Sequence, residues 1–114
     1  MKDQDRFLPL SPAALHILLA LAGEDLHGYG ILLEVARQSE GRYRLGPGTL
    51  YDNLGRLLAE GLVRQTGRRP REEDARRRYY RLTTLGRGVL NAEIARLEGV
   101  IRDARMRRPA PRGA

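Results

Sequence analysis

Three short helical segments with apolar stripes come first in this sequence. Two strand-like runs follow on either side of an arginine-rich loop, and a long C-terminal helix with heptad spacing ends the chain. That order predicts a mainly α (α+β) fold: a winged helix-turn-helix of three helices plus a two-stranded wing, with a long C-terminal dimerisation helix. At 114 residues the chain has the size of one domain with a single modest core. The expected organisation is a flexible N-terminal arm over residues 1–9, the winged helix-turn-helix over 10–83, the dimerisation helix over 84–107 and a disordered tail over 108–114.

Residues Met1 to Arg6 are polar and read as a frayed end. The first helix opens in "LSPAALHILLALAG". There Ser11 can cap, Pro12 suits the first turn and Leu10 can staple back onto it. Leu15, Leu18, Leu19 and Ala22 recur at helical spacing and mark an apolar face, and Gly23 ends the helix. In the second helix, "HGYGILLEVARQS", Ile31, Leu32, Val35 and Ala36 share one side. Two glycines in its opening turn cost about 1 kcal/mol each relative to alanine. They imply either an unusual backbone angle or the close approach of a neighbouring helix. Gly41 ends this helix, and Gly46-Pro47-Gly48 supplies turn chemistry.

The third helix, "GTLYDNLGRLLAEG", has the clearest two-sidedness. Leu50, Leu54, Leu57 and Leu58 form a core stripe, while Gly48, Thr49, Asp52, Gly55 and Arg56 lie opposite, with Tyr51 and Asn53 at the borders. Gly61 stops the helix. "LVRQT" and "RRYYRLT", separated by the polar loop "GRRPREEDAR", read as a hairpin with a long tip, Tyr80 and Leu82 sharing one face of the return strand. Thr83 then caps a helix running from Thr84 to about Arg107. Along it Leu90, Ile94, Leu97, Ile101 and Ala104 step at heptad spacing, widened by Val89 and Val100. Gly86, Gly88 and Gly99 weaken this helix alone, so a partner surface must stabilise it. A three-helix domain cannot cover so long a helix, so Leu90, Ile94, Leu97, Val100, Ile101 and Ala104 are expected at a dimer interface.

Charge narrows the function. Lys and Arg total 21 against 14 acids, for a net charge of +7, and all bases but Lys2 are arginine. The excess points to a polyanionic partner, nucleic acid before an anionic membrane surface. There are no cysteines, hence no disulfide and no thiolate metal site. No window approaches the roughly 18 apolar residues that span a bilayer, and the N-terminus lacks an apolar run of signal length. A cytoplasmic protein with no membrane partner is expected. Neither His16 nor His27 has a ligand-spaced companion, so no metal or other cofactor is expected. Paired carboxylates, a Ser/His constellation and a Gly-rich phosphate loop are all missing, which argues against an enzyme.

If the partner is double-stranded DNA, the third helix enters the major groove and the wing lies on the adjacent backbone or minor groove. Thr49, Asn53 and Arg56 are then candidate base readers, arginine suiting guanine and asparagine adenine; for each, a phosphate contact is an equal alternative. Asp52 either accepts from a cytosine amino group or keeps the face off non-specific phosphate. Tyr51 either bonds a phosphate through its hydroxyl or packs beside the wing. His27 and Tyr29 either touch the backbone or belong, with the glycines of "HGYG", to the architecture. Arg68, Arg69, Arg71, Arg76, Arg77 and Arg78 suit phosphates or a narrow minor groove, where the potential is most negative. Glu72, Glu73 and Asp74 partly offset them. An apolar exposed face on the third helix would instead have indicated a winged-helix protein-interaction module; the face is polar.

The residues also resemble a known family, the PadR-type transcriptional regulators of bacteria and archaea. The resemblance rests on "HGYGI" (His27 to Ile31), "GTLYDNLGRLLAEGLV" (Gly48 to Val63) and "RRRYYRLTTLGRGVL" (Arg76 to Leu90), inside a match running from about Leu10 to Asp103. It implies a homodimeric repressor acting on a two-fold symmetric operator, often at its own and a neighbouring promoter, with the C-terminal helix crossing to the partner. The single short C-terminal helix resembles the small subfamily. Position by position, Thr49, Leu50 and Tyr51 match the start of the family's recognition helix, Arg56 its basic position, and Arg77, Arg78, Tyr79 and Tyr80 its wing. Asp52-Asn53 and the acid-containing tip "RPREED" depart from the pattern. Some relatives hold aromatic or drug-like effectors between their C-terminal helices. Here the seam is aliphatic and the chain has no tryptophan, so a small aromatic effector stays an open expectation.

Overall fold

Side chains that satisfy the first amides of a helix decide where the helices of this chain begin. In the structure, a computed structural model describing residues 3–66 and 78–111, Ser11 Oγ accepts from Ala14 N–H at 3.1 Å and Pro12 occupies the first turn of α1 (Pro12–Gly23). His27 Nδ1 accepts from Gly30 N–H at 3.1 Å and opens α2 (Gly28–Gln38). Pro47 starts α3 (Pro47–Ala59) without a side-chain cap. Thr83 Oγ1 accepts from Gly86 N–H at 2.9 Å, opening α4 (Thr84–Arg107).

The strands are short: β1 (Leu26–His27), β2 (Val63–Gln65) and β3 (Tyr79–Leu82). They form an antiparallel sheet in the order β1-β3-β2, with Leu26 opposite Tyr80 and Val63 opposite Leu82. The expected two-stranded wing is therefore a three-stranded sheet, its third strand coming from the two residues just before α2. Arg81 on β3 makes a two-pronged bond to Asp25, Nε to Oδ1 at 2.9 Å and Nη2 to Oδ2 at 2.6 Å, which ties this strand to the turn after α1. The Asp25 carboxylate bonded to it holds the Arg81 guanidinium above its ordinary pKa.

One core collects Leu18 and Leu21 of α1, Ile31 and Val35 of α2, Leu50, Leu54 and Leu57 of α3, the inward faces of β2 and β3, and Val89 and Leu90 of α4. Of the leucine stripe expected on α3, Leu50, Leu54 and Leu57 are buried and Leu58 is half-buried at its edge. On α1 the buried residues are Ala14, Ile17, Leu18, Ala20 and Leu21, while Leu15 and Leu19 are half-buried and Ala22 is exposed. The expected face was thus turned by about one residue. An apolar residue occupies almost every position of this helix, so spacing alone could not choose the inward side.

Two further expectations are corrected. Residues Asp3–Phe7, expected in a frayed arm, form a 3-10 helix, and Phe7 and Leu8 pack against the core. Leu10 N–H donates to Glu93 Oε2 at 2.9 Å, across to α4. Leu90, placed by its heptad position at a dimer interface, is buried within the protomer, and Ile94 packs partly against the same core. Beyond them α4 runs out of the domain. Val100 and Ile101 are about half exposed, at 51 % and 50 %, and Ala104 is exposed.

Two glycines of α4 are explained by close approach. A Cβ on Gly86 would collide with the Leu62 carbonyl, and one on Gly88 would press on Gln4 Oε1 of the N-terminal 3-10 helix. Nothing lies near Gly99 among the described residues.

Candidate nucleic-acid interface

The candidate interface is built on α3, because its leucine stripe commits one side to the core and leaves the other in solvent. Thr49, Tyr51, Asp52 and Arg56 are exposed and Asn53 is half-buried. Asn53 Nδ2 donates to Thr49 O at 2.8 Å, which uses one of its two amide hydrogens and orients the group, leaving Oδ1 and the other hydrogen for a base edge. Arg56 and Thr49 carry no such commitment among the described residues.

The wing base meets the start of α3. Tyr51 lies against Gly28, where a Cβ would strike the phenol hydroxyl. That close contact answers the question raised by the first glycine of "HGYG": the start of α2 must be bare for the Tyr51 ring to sit there. Burial pushes the Tyr80 phenol above its usual pKa; Tyr51 adds to the shift and Arg78 opposes it. Tyr51, Tyr80 and Arg78 are therefore electrostatic neighbours. Arg78 is exposed and its Nη1 donates to Gln65 Oε1 at 3.3 Å across the hairpin. Tyr79 sits edge-on to His27, ring centroids 5.3 Å apart, and Tyr29 projects beside them at 61 % exposure. Arg68, Arg69, Arg71, Arg76 and Arg77 lie outside the described residues. Thus α3, the start of α2 and the base of the hairpin converge around Tyr51.

A helix with a polar exposed face, a strand pair beside it and an arginine at the strand base is the arrangement that places side chains in a major groove and on the flanking backbone. Over residues 17–92 the chain matches the profile of the Transcriptional regulator PadR-like family. The chain belongs to that family. This PadR-like chain is 40% identical over 90 residues to the transcriptional regulator Rv3488 of Mycobacterium tuberculosis, covering 78% of each protein. It is 44% identical over 90 residues to an uncharacterised 37.1 kDa protein in a transposon of Streptomyces fradiae, covering 76% of this chain but spanning only 24% of that protein. Among solved structures it resembles a PadR family transcription regulator from Clostridium difficile, with a TM-score of 0.69, 25% identity and 84% and 97% of the two chains covered. It also shares the fold of Bacillus subtilis PadR in complex with operator DNA, with a TM-score of 0.58 and 23% identity over 93% and 54% of the two chains. PadR-like membership places the chain among transcriptional regulators and not among enzymes.

Sequence reasoning missed β1 and the Asp25–Arg81 pair that fastens the sheet. Asp25 precedes a two-residue strand, and no local pattern announces a partner so distant along the chain. Among the described residues no cluster of His, Asp and Glu could hold a metal ion, and no helix is long and apolar enough to cross a membrane.

Proposed function

We propose that this protein is a homodimeric repressor that binds a two-fold symmetric operator in the cytoplasm, with α3 in the major groove and the wing on the backbone or minor groove. The observation that carries the reading is the exposed polar face of α3, Thr49, Asp52 and Arg56, backed by the buried leucines and flanked by Arg78 at the wing base. The net charge of +7 supports a polyanion as partner, and the structural relative bound to operator DNA supports a duplex. The half-exposed aliphatic end of α4 supports a second copy as its cover: leaving Leu97, Val100 and Ile101 in water would forfeit apolar burial that a twin helix supplies.

Fluorescence anisotropy on the duplex upstream of the protein's own gene, against a scrambled duplex at several salt concentrations, tests this directly. Six to ten phosphate contacts per dimer give a slope of log affinity on log salt of about −5 to −9, and specific recognition gives a preference on the order of a thousandfold. Absence of binding to either duplex at low salt contradicts the reading.

A further inference from the structure

The N-terminal 3-10 helix holds an arginine in a place the family resemblance does not address. A groove of about 260 Å³ separates this turn from the C-terminal half of α3, and Arg6, Phe7, Asn53, Arg56 and Glu60 line it. The Arg6 guanidinium stands 4.7 Å above the centroid of the Phe7 ring, a cation–π arrangement that limits its rotamers. Arg6 and Arg56 are both exposed, and neither is paired with a carboxylate among the described residues.

The backbone carrying Arg6 is fixed from the far side. Gln4 rests against Gly88, Leu10 N–H is bonded to the Glu93 carboxylate, and Phe7 and Leu8 pack on the core. Glu93 is itself held by Arg96, Nε to Oε1 at 2.6 Å and Nη2 to Oε2 at 3.1 Å. Two guanidiniums without a carboxylate partner, one on α3 and one on a pinned turn beside it, outnumber the single carboxylate of the groove, exposed Glu60, and leave it a net positive charge complementary to an anion. Because the turn is already ordered, little conformational entropy is lost when that anion binds.

We infer that Arg6 is a third contact to the nucleic acid, gripping a backbone phosphate beside the C-terminal half of α3 together with Arg56. This rests on the DNA-binding reading above. It makes the N-terminal turn part of the interface, in addition to α3 and the wing. A phosphate contact carries no sequence information, so Arg6 strengthens binding to all duplexes alike and fixes how α3 sits in the groove.

The test compares wild type, Arg6→Gln and Arg6→Lys by anisotropy on the native and scrambled duplexes across salt concentrations, with inorganic phosphate titrated into each at constant ionic strength and followed by thermal shift. Arg6 is exposed, so all three proteins should melt alike without ligand. Each phosphate contact contributes about 0.9 to the salt slope, so Arg6→Gln should flatten the slope by about 1 per bound subunit and weaken both duplexes by the same factor, while Arg6→Lys keeps most of the slope. If wild type binds duplex and Arg6→Gln leaves its slope unchanged, the inference is overturned while the DNA reading stands. If wild type binds no duplex, the DNA reading fails and this inference with it. If inorganic phosphate stabilises wild type but not Arg6→Gln and the duplex slope does not change, the groove is a small-anion site, and the inference is again overturned.

Discussion

On the dimer proposed above, the heptad of α4 divides between protomer core and twin-helix seam, and paired substitutions separate the two. Leu90 is 4 % exposed and sits in the protomer core, where α4 meets α1 and β3. Truncating a buried leucine to alanine costs about 2–5 kcal/mol through lost burial and the cavity left behind. For a domain of this size each kcal/mol moves Tm by about 4–8 °C, so Leu90→Ala at about 3 kcal/mol should lower Tm by roughly 12–24 °C. Ile101, 50 % exposed, contributes little to the protomer itself. Ile101→Asp should cost the protomer on the order of 1 kcal/mol. An aspartate buried and unpaired in a twin-helix seam costs several kcal/mol, and about 2.8 kcal/mol already weakens dimerisation roughly 100-fold. Sedimentation equilibrium at micromolar concentration and thermal melting over a hundredfold protein range read both effects. A Leu90→Ala protein that melts like wild type but sediments at half the mass would refute the assignment of Leu90 to the core. An Ile101→Asp protein of unchanged mass would refute the placement of the seam on the exposed end of α4.

Other features give simpler expectations. Thr83 caps α4 and its hydroxyl also donates to Gly61 O at 2.6 Å, so Thr83→Ala should cost about 1–2 kcal/mol, measured by urea unfolding; a change within error would mean the cap is dispensable. A methyl on Gly86 meets the Leu62 carbonyl, so Gly86→Ala should destabilise by about 1–3 kcal/mol even though alanine is the better helix former; a higher Tm would contradict the packing. The bond from Arg96, against the opposing effect of burial, keeps the Glu93 carboxyl below the ordinary glutamate pKa, and the Leu10 amide assists. The native state then binds fewer protons than the unfolded chain. Stability from Glu93 should therefore be complete above about pH 4.3, the unfolded value, and vanish as pH falls through the lowered native pKa. Glu93→Gln should flatten that acid limb in a pH series of melts, and an unchanged limb would assign the acid sensitivity to other carboxylates.

What the sequence disclosed, and what it withheld, follow from the range of each interaction. The helices were legible because their signals are local: Thr83 as a cap and the leucine stripe of α3 lie within a few turns of what they specify. The inward face of α1 was not, since a helix apolar on nearly every side has no preferred direction until its neighbours are placed. β1 was illegible because two residues show no alternation, and the ladder that makes Leu26 and His27 a strand belongs to Tyr79 and Tyr80. The order of the N-terminal turn rests on Glu93, 83 positions from Leu10. Heptad spacing identified the residues of α4 that need cover, but it does not distinguish cover within the protomer from cover by a twin. That is why spacing alone groups Leu90, which is buried in the protomer, with the exposed positions of the seam. At the candidate interface, the polar side of α3 was evident from its pattern, whereas the seating of Tyr51 on Gly28 required the fold.

The most direct measurement of the central claim is hydroxyl-radical footprinting of the intact protein on the duplex upstream of its own gene. Two protected half-sites related by a two-fold axis, with centres about 10–10.5 base pairs or a multiple apart, are the expected result, with both protections moving to higher protein concentration in Arg56→Ala. An unprotected duplex at protein concentrations well above those needed for dimerisation, or protections indifferent to Arg56, would contradict a dimer that reads DNA through α3.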